Sequence, residues 1–444
     1  MINMLKRFLR RTLLAFTLTW LLLASAPVHS QSLYYPPLAG PSWDTVNPQT
    51  LGWCTAYIDT LYDFLDNNNT KAFIVLKDGK IALEKYFGSF TKDSSWYWAS
   101  AGKSLVAFLA GQTQEQGLLH IDSSTSTYLG NGWTNCTAAQ EQAITVRHQL
   151  SMTSGLDDSQ NNDCTAPACL NYFAPPGTRW AYHNGAYTLI QSVIEQASGK
   201  AINNVVFQNL TVKTGLAGLF VPVGDLSIFF SRPRHMARFG LLMLGQGQWN
   251  GNTVLADTAY LQDMITPSQS INPSYGYLWW LNGQPSFMLP QLQFTFPGPL
   301  LPAAPADLYA AIGKNGQIIN VVPSQGLVVV RMGNAPGSSL VPNAFNDSLW
   351  LKLNQVICTG MDLQETEFMS PIQLHDHNGT LEVLWAGETF QASIYNMSGQ
   401  VLLSTPVQHA AMNIPTAALV PGVHILVLTN SEGKVVRKKV VINR

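Results

Sequence analysis

The sequence predicts an α/β (α+β) chain: one large domain on an antiparallel sheet with a mostly helical block inserted, then a small β-sandwich. Three observations carry this. Strand-like apolar runs stand at both ends of the first 360 residues, at 72–76 and 81–87 and again at 307–313, 317–323 and 327–332, with helical patterning and Gly-, Pro- and Asn-rich loops over 120–300 between them. Beyond about Gly360 the helical pattern stops and short strand-like runs alternate with turns. A chain of 444 residues, 46% hydrophobic, exceeds what a single core usually serves.

Taken in order, the first thirty residues divide into a basic start (Lys6, Arg7, Arg10, Arg11), an apolar run from Leu13 to Ala24, and a small-residue stretch ending at Ser30. That is the pattern of a secretory signal peptide, and the run falls short of the roughly 20 residues that span a bilayer. Pro27 disfavours cleavage after Ala26, so the cut is expected between Ser30 and Gln31. The predicted division is 1–30 leader, 31–360 main domain and 361–444 terminal module, with no membrane-spanning segment after the leader. A helical pattern over 48–65 precedes two strands joined by Lys77-Asp78-Gly79-Lys80, an Asp-Gly hairpin turn. A helix is expected from about 100 to 116. The strands at 307–332 turn at Lys314-Asn315-Gly316 and are closed by a helix over 343–356.

A formal net charge of −1 with 11% charged residues provides no field to hold nucleic acid. Cys54, Cys136, Cys164, Cys169 and Cys358 are odd in number, so at least one is unpaired or paired between chains. Cys164 and Cys169 flank a tight loop and form the easiest pair to imagine; Cys54 with Cys358 would clip the first helix to the last. Connectivity stays open at this level. No second Cys or His pair stands at zinc spacing, and His375-Asp376-His377 reads as an exposed strand end. No metal or organic cofactor is implied.

Two short stretches have the makings of chemistry. Ser100-Ala101-Gly102-Lys103 opens an apolar helix, and a spacing of three puts both side chains on one face, about a turn apart. A serine hydroxyl needs a neighbour to take its proton, and a lysine in apolar surroundings is pushed toward the neutral form that does so. The helix start adds main-chain N–H groups near a developing oxyanion. The second stretch, Tyr182-His183-Asn184-Gly185, offers a phenol for proton relay, once cations hold it as phenolate, and an amide for the lysine and a substrate oxygen.

Over about 70–335 the chain resembles the serine β-lactamase and penicillin-binding protein superfamily, especially its class C β-lactamase, family VIII esterase and 6-aminohexanoate-dimer hydrolase branch. The resemblance rests on Ser100 to Lys103, Ile144 to Leu156, Pro176-Gly177 with Tyr182 to Gly185, and Arg238 to Gly245 ahead of Tyr275-Gly276-Tyr277. It implies the β-lactamase/transpeptidase-like fold, an acyl-enzyme on Ser100, Lys103 as base or relay and Tyr182 as relay, with Asn184 binding substrate. The family's third motif, Lys-Thr-Gly or His-x-Gly, is where this sequence departs. Matching its glycine to Gly313 puts Ala311-Ile312-Gly313 there, and a gapped alignment brings Lys314 nearby, so the usual cation is absent or displaced. Main-chain N–H groups around Ala311 to Gly313 still provide for an oxyanion. Weakened carboxylate recognition favours ester or uncharged amide substrates; the competing readings are a β-lactamase or DD-peptidase, and an inactive penicillin-fold binding or sensor protein. Trp279-Trp280-Leu281 and 294–299 read equally as acyl-pocket walls or as packing, and stay outside the predicted site.

The terminal module, an Ig-like sandwich by its strand pattern, resembles the sorting tails of the type IX secretion system of Bacteroidetes, on 394–401, 419–425 and the basic ending 433–442. The resemblance implies the type IX machinery as partner, a tail without catalytic part, and a secreted or cell-surface location. A generic adhesion module is the alternative.

Overall fold

The computed structural model describes residues 33–159, 161–336 and 343–358, and in the C-terminal part 373–377, 380–384, 390–395, 401–407, 411–430 and 435–442. The leader expected over 1–30 lies outside them. The chain divides into two compact units, Met1–Cys358 and Thr359–Arg444.

In the first unit, α1 (Ile58–Asn67) leads into β1 (Thr70–Lys77) and β2 (Lys80–Tyr86). Helical periodicity over 48–65 yields only short 3₁₀ turns at Pro48–Leu51 and Thr55–Tyr57 before α1 begins. Asp78 (φ 49°) and Gly79 (φ 85°) form the two-residue hairpin, both in the left-handed region that this turn demands. After β3 (Trp96–Tyr97) and α2 (Gly102–Glu115), the block between the two ends of the sheet contains α3 (Asn184–Ser198), β4 (Gly218–Val223), β5 (Leu226–Ser231) and α4 (Pro233–Leu244). The chain returns through β6 (Trp280–Leu281), β7 (Tyr309–Gly313), β8 (Gln317–Val322) and β9 (Leu327–Gly333), closing with α5 (Asn343–Ile357).

The main sheet runs β2-β1-β9-β8-β7-β6 with every pair antiparallel. Its centre joins the two ends of the unit, with Phe73 opposite Arg331 and Val75 opposite Val329. Because β7, β8 and β9 are buried along their whole length, they read as near-continuous apolar runs. α4 lies directly on the sheet at Gly240, where a Cβ would come 2.4 Å from Val328 Cγ1. α5 packs on α1, Phe64 stacking on Phe345 at 5.6 Å. A disulfide joins Cys54 ahead of α1 to Cys358 after α5, a second joins Cys164 to Cys169, and Cys136 is free.

Arg331 is fully buried without a carboxylate, a costly placement unless its donors are satisfied. They are: it donates to Gly316 O (3.0 Å), Asn68 O (2.7 Å), Asn334 O (3.0 Å) and Thr70 Oγ1 (3.1 Å), and to Asn315 O. Burial pulls its pKa down to about 9. The β7–β8 turn is thereby tied to the start of β1.

In the second unit, β10 (Gln373–His377), β11 (Thr380–Leu384) and β14 (Ala411–Pro415) make one antiparallel sheet, with His375 and His377 in β10. β12 (Phe390–Tyr395), β13 (Val401–Val407), β15 (Gly422–Asn430) and β16 (Val435–Ile442) make the other, ordered β13-β12-β15-β16. Leu381, Val383, Ile394, Ile414 and Leu426 are among the residues of both sheets that share its core, a small β-sandwich. Of the sorting-tail signature, 396–400 and 433–434 fall outside the described residues. No helix among the described residues is long and apolar enough to cross a membrane.

Candidate active site

Ser100 sits in a 3₁₀ turn, Ala99–Ala101, immediately before α2. Ala99 takes φ 47°, a left-handed conformation that costs a residue with a Cβ on the order of 1–3 kcal/mol. What holds it is the hairpin β4–β5: Trp98 N–H donates to Phe229 O (2.8 Å), the Trp98 indole N–H donates to Ser231 Oγ (2.8 Å), and the Trp98 and Phe229 rings meet edge to face at 4.9 Å. α2 is buried from Gly102 to Thr113, as its apolar sequence requires.

Lys103 projects from the first turn of α2 and is 3% exposed. Its Nζ donates to Ser100 Oγ at 2.9 Å and to Asn184 Oδ1 at 2.8 Å. It also lies over the rings of Tyr187 (4.1 Å) and Tyr182 (5.0 Å). Burial lowers its pKa from 10.5 to about 7, against a smaller upward pull from Asp163. An amine so placed accepts a proton at neutral pH and is within reach of the serine that would lose one.

Tyr182 and Asn184 come from the loop entering α3, where His183 caps the helix by accepting from Ala186 N. The stretch 144–156 buttresses that loop: Ala181 N donates to Met152 O (2.9 Å), Gly177 N to Thr153 O (2.8 Å), and the Gln149 amide to Ala186 O (2.6 Å). Burial pushes the Tyr182 phenol well above its ordinary pKa, with Ser100 alone opposing. Burial thus favours the neutral phenol, and Lys103, the amine lying over its ring, is itself pushed toward the neutral form. Asn162 accepts from Asn184 N (2.8 Å) and donates to Tyr182 O (2.8 Å), while Asn184 Nδ2 donates to Asp163 Oδ1 (2.7 Å). The buried ion pair Arg179–Asp158 (2.6 Å) steadies the loop bearing Asn162 and Asp163.

Gly313 ends β7 against this turn. A Cβ there would lie 2.5 Å from Trp98 O, 2.8 Å from Ala101 N and 3.0 Å from Ser100 N, so only glycine lets the strand approach so closely. Ile312, Gly313 and Lys314 line the same cleft as Ser100; Ala311 is buried and does not. Of the six predicted site residues, Ser100, Lys103, Tyr182, Asn184 and Gly313 line the cleft, and Ala311, expected only for a main-chain N–H, does not. The reason is position along the strand: Ala311 stands two residues before the end of β7, opposite Ile319 in the sheet, whereas Gly313 ends the strand against the serine turn. Lys314 is exposed at the cleft, so a cation does stand one residue beyond Gly313.

The cleft measures about 540 Å³ and contains side chains that sequence reasoning missed. Trp280 lines it, stacking with Tyr182 at 6.0 Å, whereas its neighbour Trp279 is fully buried against Phe239. Asn162, Asp163 and Tyr187 line it, as do Val223, Leu226, Ile228 and Phe230 of β4–β5. A signal for that hairpin existed: Gly224-Asp225 between two alternating apolar runs is a two-residue turn. Among the described residues no cluster of His, Cys, Asp and Glu could hold a metal ion.

Residues 68–347 match the Beta-lactamase family model, and 377–443 match the secretion system C-terminal sorting domain. A protein of Bacillus anthracis named as a 6-aminohexanoate-dimer hydrolase superposes with TM-score 0.54 at 18% identity, covering 66% of this chain and 81% of its own. One named as a β-lactamase, from Bacteroides dorei DSM 17855, gives 0.55 at 18% identity, covering 69% and 99%. At such identities these likenesses establish the fold alone. Penicillin-binding protein PbpX of Bacillus subtilis (strain 168) is 24% identical over 159 residues, 32% of this chain and 39% of that protein, so the chain matches well under half of that curated relative. With the family model spanning the sheet, the inserted block and the cleft between them, the chain belongs to the β-lactamase family, within the serine hydrolase superfamily of β-lactamases and penicillin-binding proteins.

Proposed function

We propose that this protein is an exported serine hydrolase that cleaves ester or uncharged amide bonds through an acyl-enzyme on Ser100. The observation that carries the proposal is the buried Lys103 amine, its pKa near 7, donating at once to Ser100 Oγ and Asn184 Oδ1.

In acylation, neutral Lys103 takes the hydroxyl proton as Ser100 Oγ attacks the substrate carbonyl carbon. The oxyanion is received by the Ser100 N–H and a main-chain N–H at the end of β7, worth about 10²–10³ in rate per donor. Tyr182, a neutral phenol, gives its proton to the departing oxygen or nitrogen and is reprotonated from Lys103, so the relay ends as it began. In deacylation, water loses a proton through Tyr182 to Lys103, attacks the acyl carbon and releases the acid; Ser100 recovers its proton from Lys103. Asn184 holds Lys103 and orients the substrate.

A second reading, a β-lactamase or DD-peptidase, is favoured by Lys314 at the cleft, a cation available to a substrate carboxylate. The 31–360 and 361–444 division and passage through the type IX machinery to the cell surface or medium belong to the proposal, supported by the sorting-domain match.

Intact-mass spectrometry after exposure to a fluorophosphonate and, separately, a penicillin, with Ser100→Ala as control, tests it. A Ser100-dependent adduct with the fluorophosphonate alone fits the esterase or amidase reading. Adducts with both move the assignment to a penicillin-recognising enzyme. No adduct with either reagent removes the hydrolase reading in favour of a binding or sensor role.

A further inference from the structure

The hairpin β4–β5 presents an apolar surface larger than folding of this unit uses. Its register pairs Leu219 with Phe230, Val221 with Ile228 and Val223 with Leu226. Opposed residues in an antiparallel pair share a face, as do alternate residues along each strand, so these six side chains form one ladder. Over four residues at ~3.3 Å each it is about 13 Å long. The opposite face is the anchored one, where Phe220 and Phe229 are buried and their rings meet at 4.9 Å.

The ladder is open to solvent, Leu219 being 58% exposed, Val221 40% and Val223 51%. No charged residue occurs in either strand. Contiguous exposed apolar surface on a soluble protein marks a binding site or an aggregation hazard. Here its place decides between them, because Val223, Leu226, Ile228 and Phe230 are also walls of the cleft containing Ser100. Phe230 is the strand partner of Tyr97, three residues before Ser100, and their rings lie 6.2 Å apart. The ladder thus runs from beside the serine to the turn at Gly224-Asp225.

We infer that this ladder is a subsite for an extended apolar chain, so that the enzyme prefers substrates with a medium-length alkyl or alkenyl acyl group. The inference rests on the acyl-enzyme reading. A chain leaving the acyl carbon is laid along the cross-strand pairs and loses water from one side only, which gives graded rather than all-or-none selection for length. Of the polar groups of the cleft, Asn162, Asp163 and Asn184 lie on α3 and the chain leading to it, Gln291 and Lys314 on other segments, and Tyr97 beside Phe230 has its hydroxyl engaged by Asn315 Nδ2 at 2.7 Å.

The test compares p-nitrophenyl acetate, butyrate, hexanoate and octanoate, each below its micelle concentration, for the wild type and Leu219→Ser/Val221→Ser. Both substitutions lie on exposed positions, so the fold tolerates them. Wild-type kcat/KM is expected to rise roughly twofold or more per added methylene, about tenfold or more from acetate to hexanoate. In the variant the octanoate-to-acetate ratio is expected to fall toward one. A wild-type profile that is flat or falls with length, while a fluorophosphonate still labels Ser100, overturns the subsite and leaves the hydrolase standing. A variant that keeps the wild-type ratio overturns it too, as does a shift from dimer to monomer in the variant, which would assign the face to chain–chain contact. Failure to label Ser100 at all strikes the hydrolase reading itself.

Discussion

Lys103→Met separates the cost of the site from its use. The wild-type amine is buried, and its pKa falls from 10.5 to about 7 mainly because burial disfavours the charged form. At ~1.36 kcal/mol per pH unit, that depression means the ammonium form costs the fold about 5 kcal/mol relative to the unfolded chain. Methionine fills nearly the same space without the charge, but deprives Asn184 Oδ1 and Ser100 Oγ of a donor, at about 1–3 kcal/mol. The variant should therefore be about 2–4 kcal/mol more stable at pH 6, on those same two magnitudes. The sign follows from proton binding. Between about pH 7 and 10.5 the unfolded lysine keeps its proton and the folded one does not, so unfolding takes up a proton and wild-type stability rises with pH across that window. The variant lacks this slope; its advantage is full below pH 7 and fades toward pH 10. Urea denaturation at pH 6, 7.5 and 9, following the transition of the first unit, measures the gap, and hydrolysis of a short ester should fall by roughly 10²–10⁴ in the same protein. A gap independent of pH, or a variant less stable at pH 6, refutes the reasoning.

Because acylation draws on neutral Lys103, kcat/KM should climb about tenfold per pH unit below about 7 and level off above it, with stopped-flow ester hydrolysis as the check. Gly313→Ala puts a Cβ 2.5 Å from Trp98 O and 2.8 Å from Ala101 N, backbone atoms that cannot swing aside; the rate of fluorophosphonate labelling should drop by about 10²-fold as the serine turn is displaced. Arg179→Met leaves Asp158, whose side chain is 6% exposed, as a buried unpaired carboxylate; the loss should be about 3–5 kcal/mol by urea midpoint, with labelling of Ser100 slowed as the Asn162–Asp163 loop loosens.

What the sequence by itself determined is whatever local physics writes into a few neighbouring residues. Alternation and apolar runs marked β1, β2 and β7 to β9, the Asp78-Gly79 turn marked its hairpin, and the Ser-x-x-Lys spacing put Ser100 and Lys103 on one helical face, because each signal depends on backbone geometry within a turn or a strand. The family resemblance then connected Tyr182 and Asn184 to them across some 80 residues. Only the tertiary structure decided the rest. The first half of the 48–65 periodicity broke into 3₁₀ turns while the rest became α1, and the β4–β5 hairpin, passed over within a helical block, became a wall of the cleft and the clamp on Trp98. Trp280 faces the cleft while Trp279 packs inside, since strand alternation separates neighbours and a sequence does not say which face looks at the site; Gly313 meets the serine turn while Ala311 stays within the sheet, because only the fold sets where β7 ends against that turn. The depressed Lys103 pKa and the raised Tyr182 pKa are likewise set by burial among residues distant in sequence, since the cost of charge depends on how much water the completed fold leaves around it.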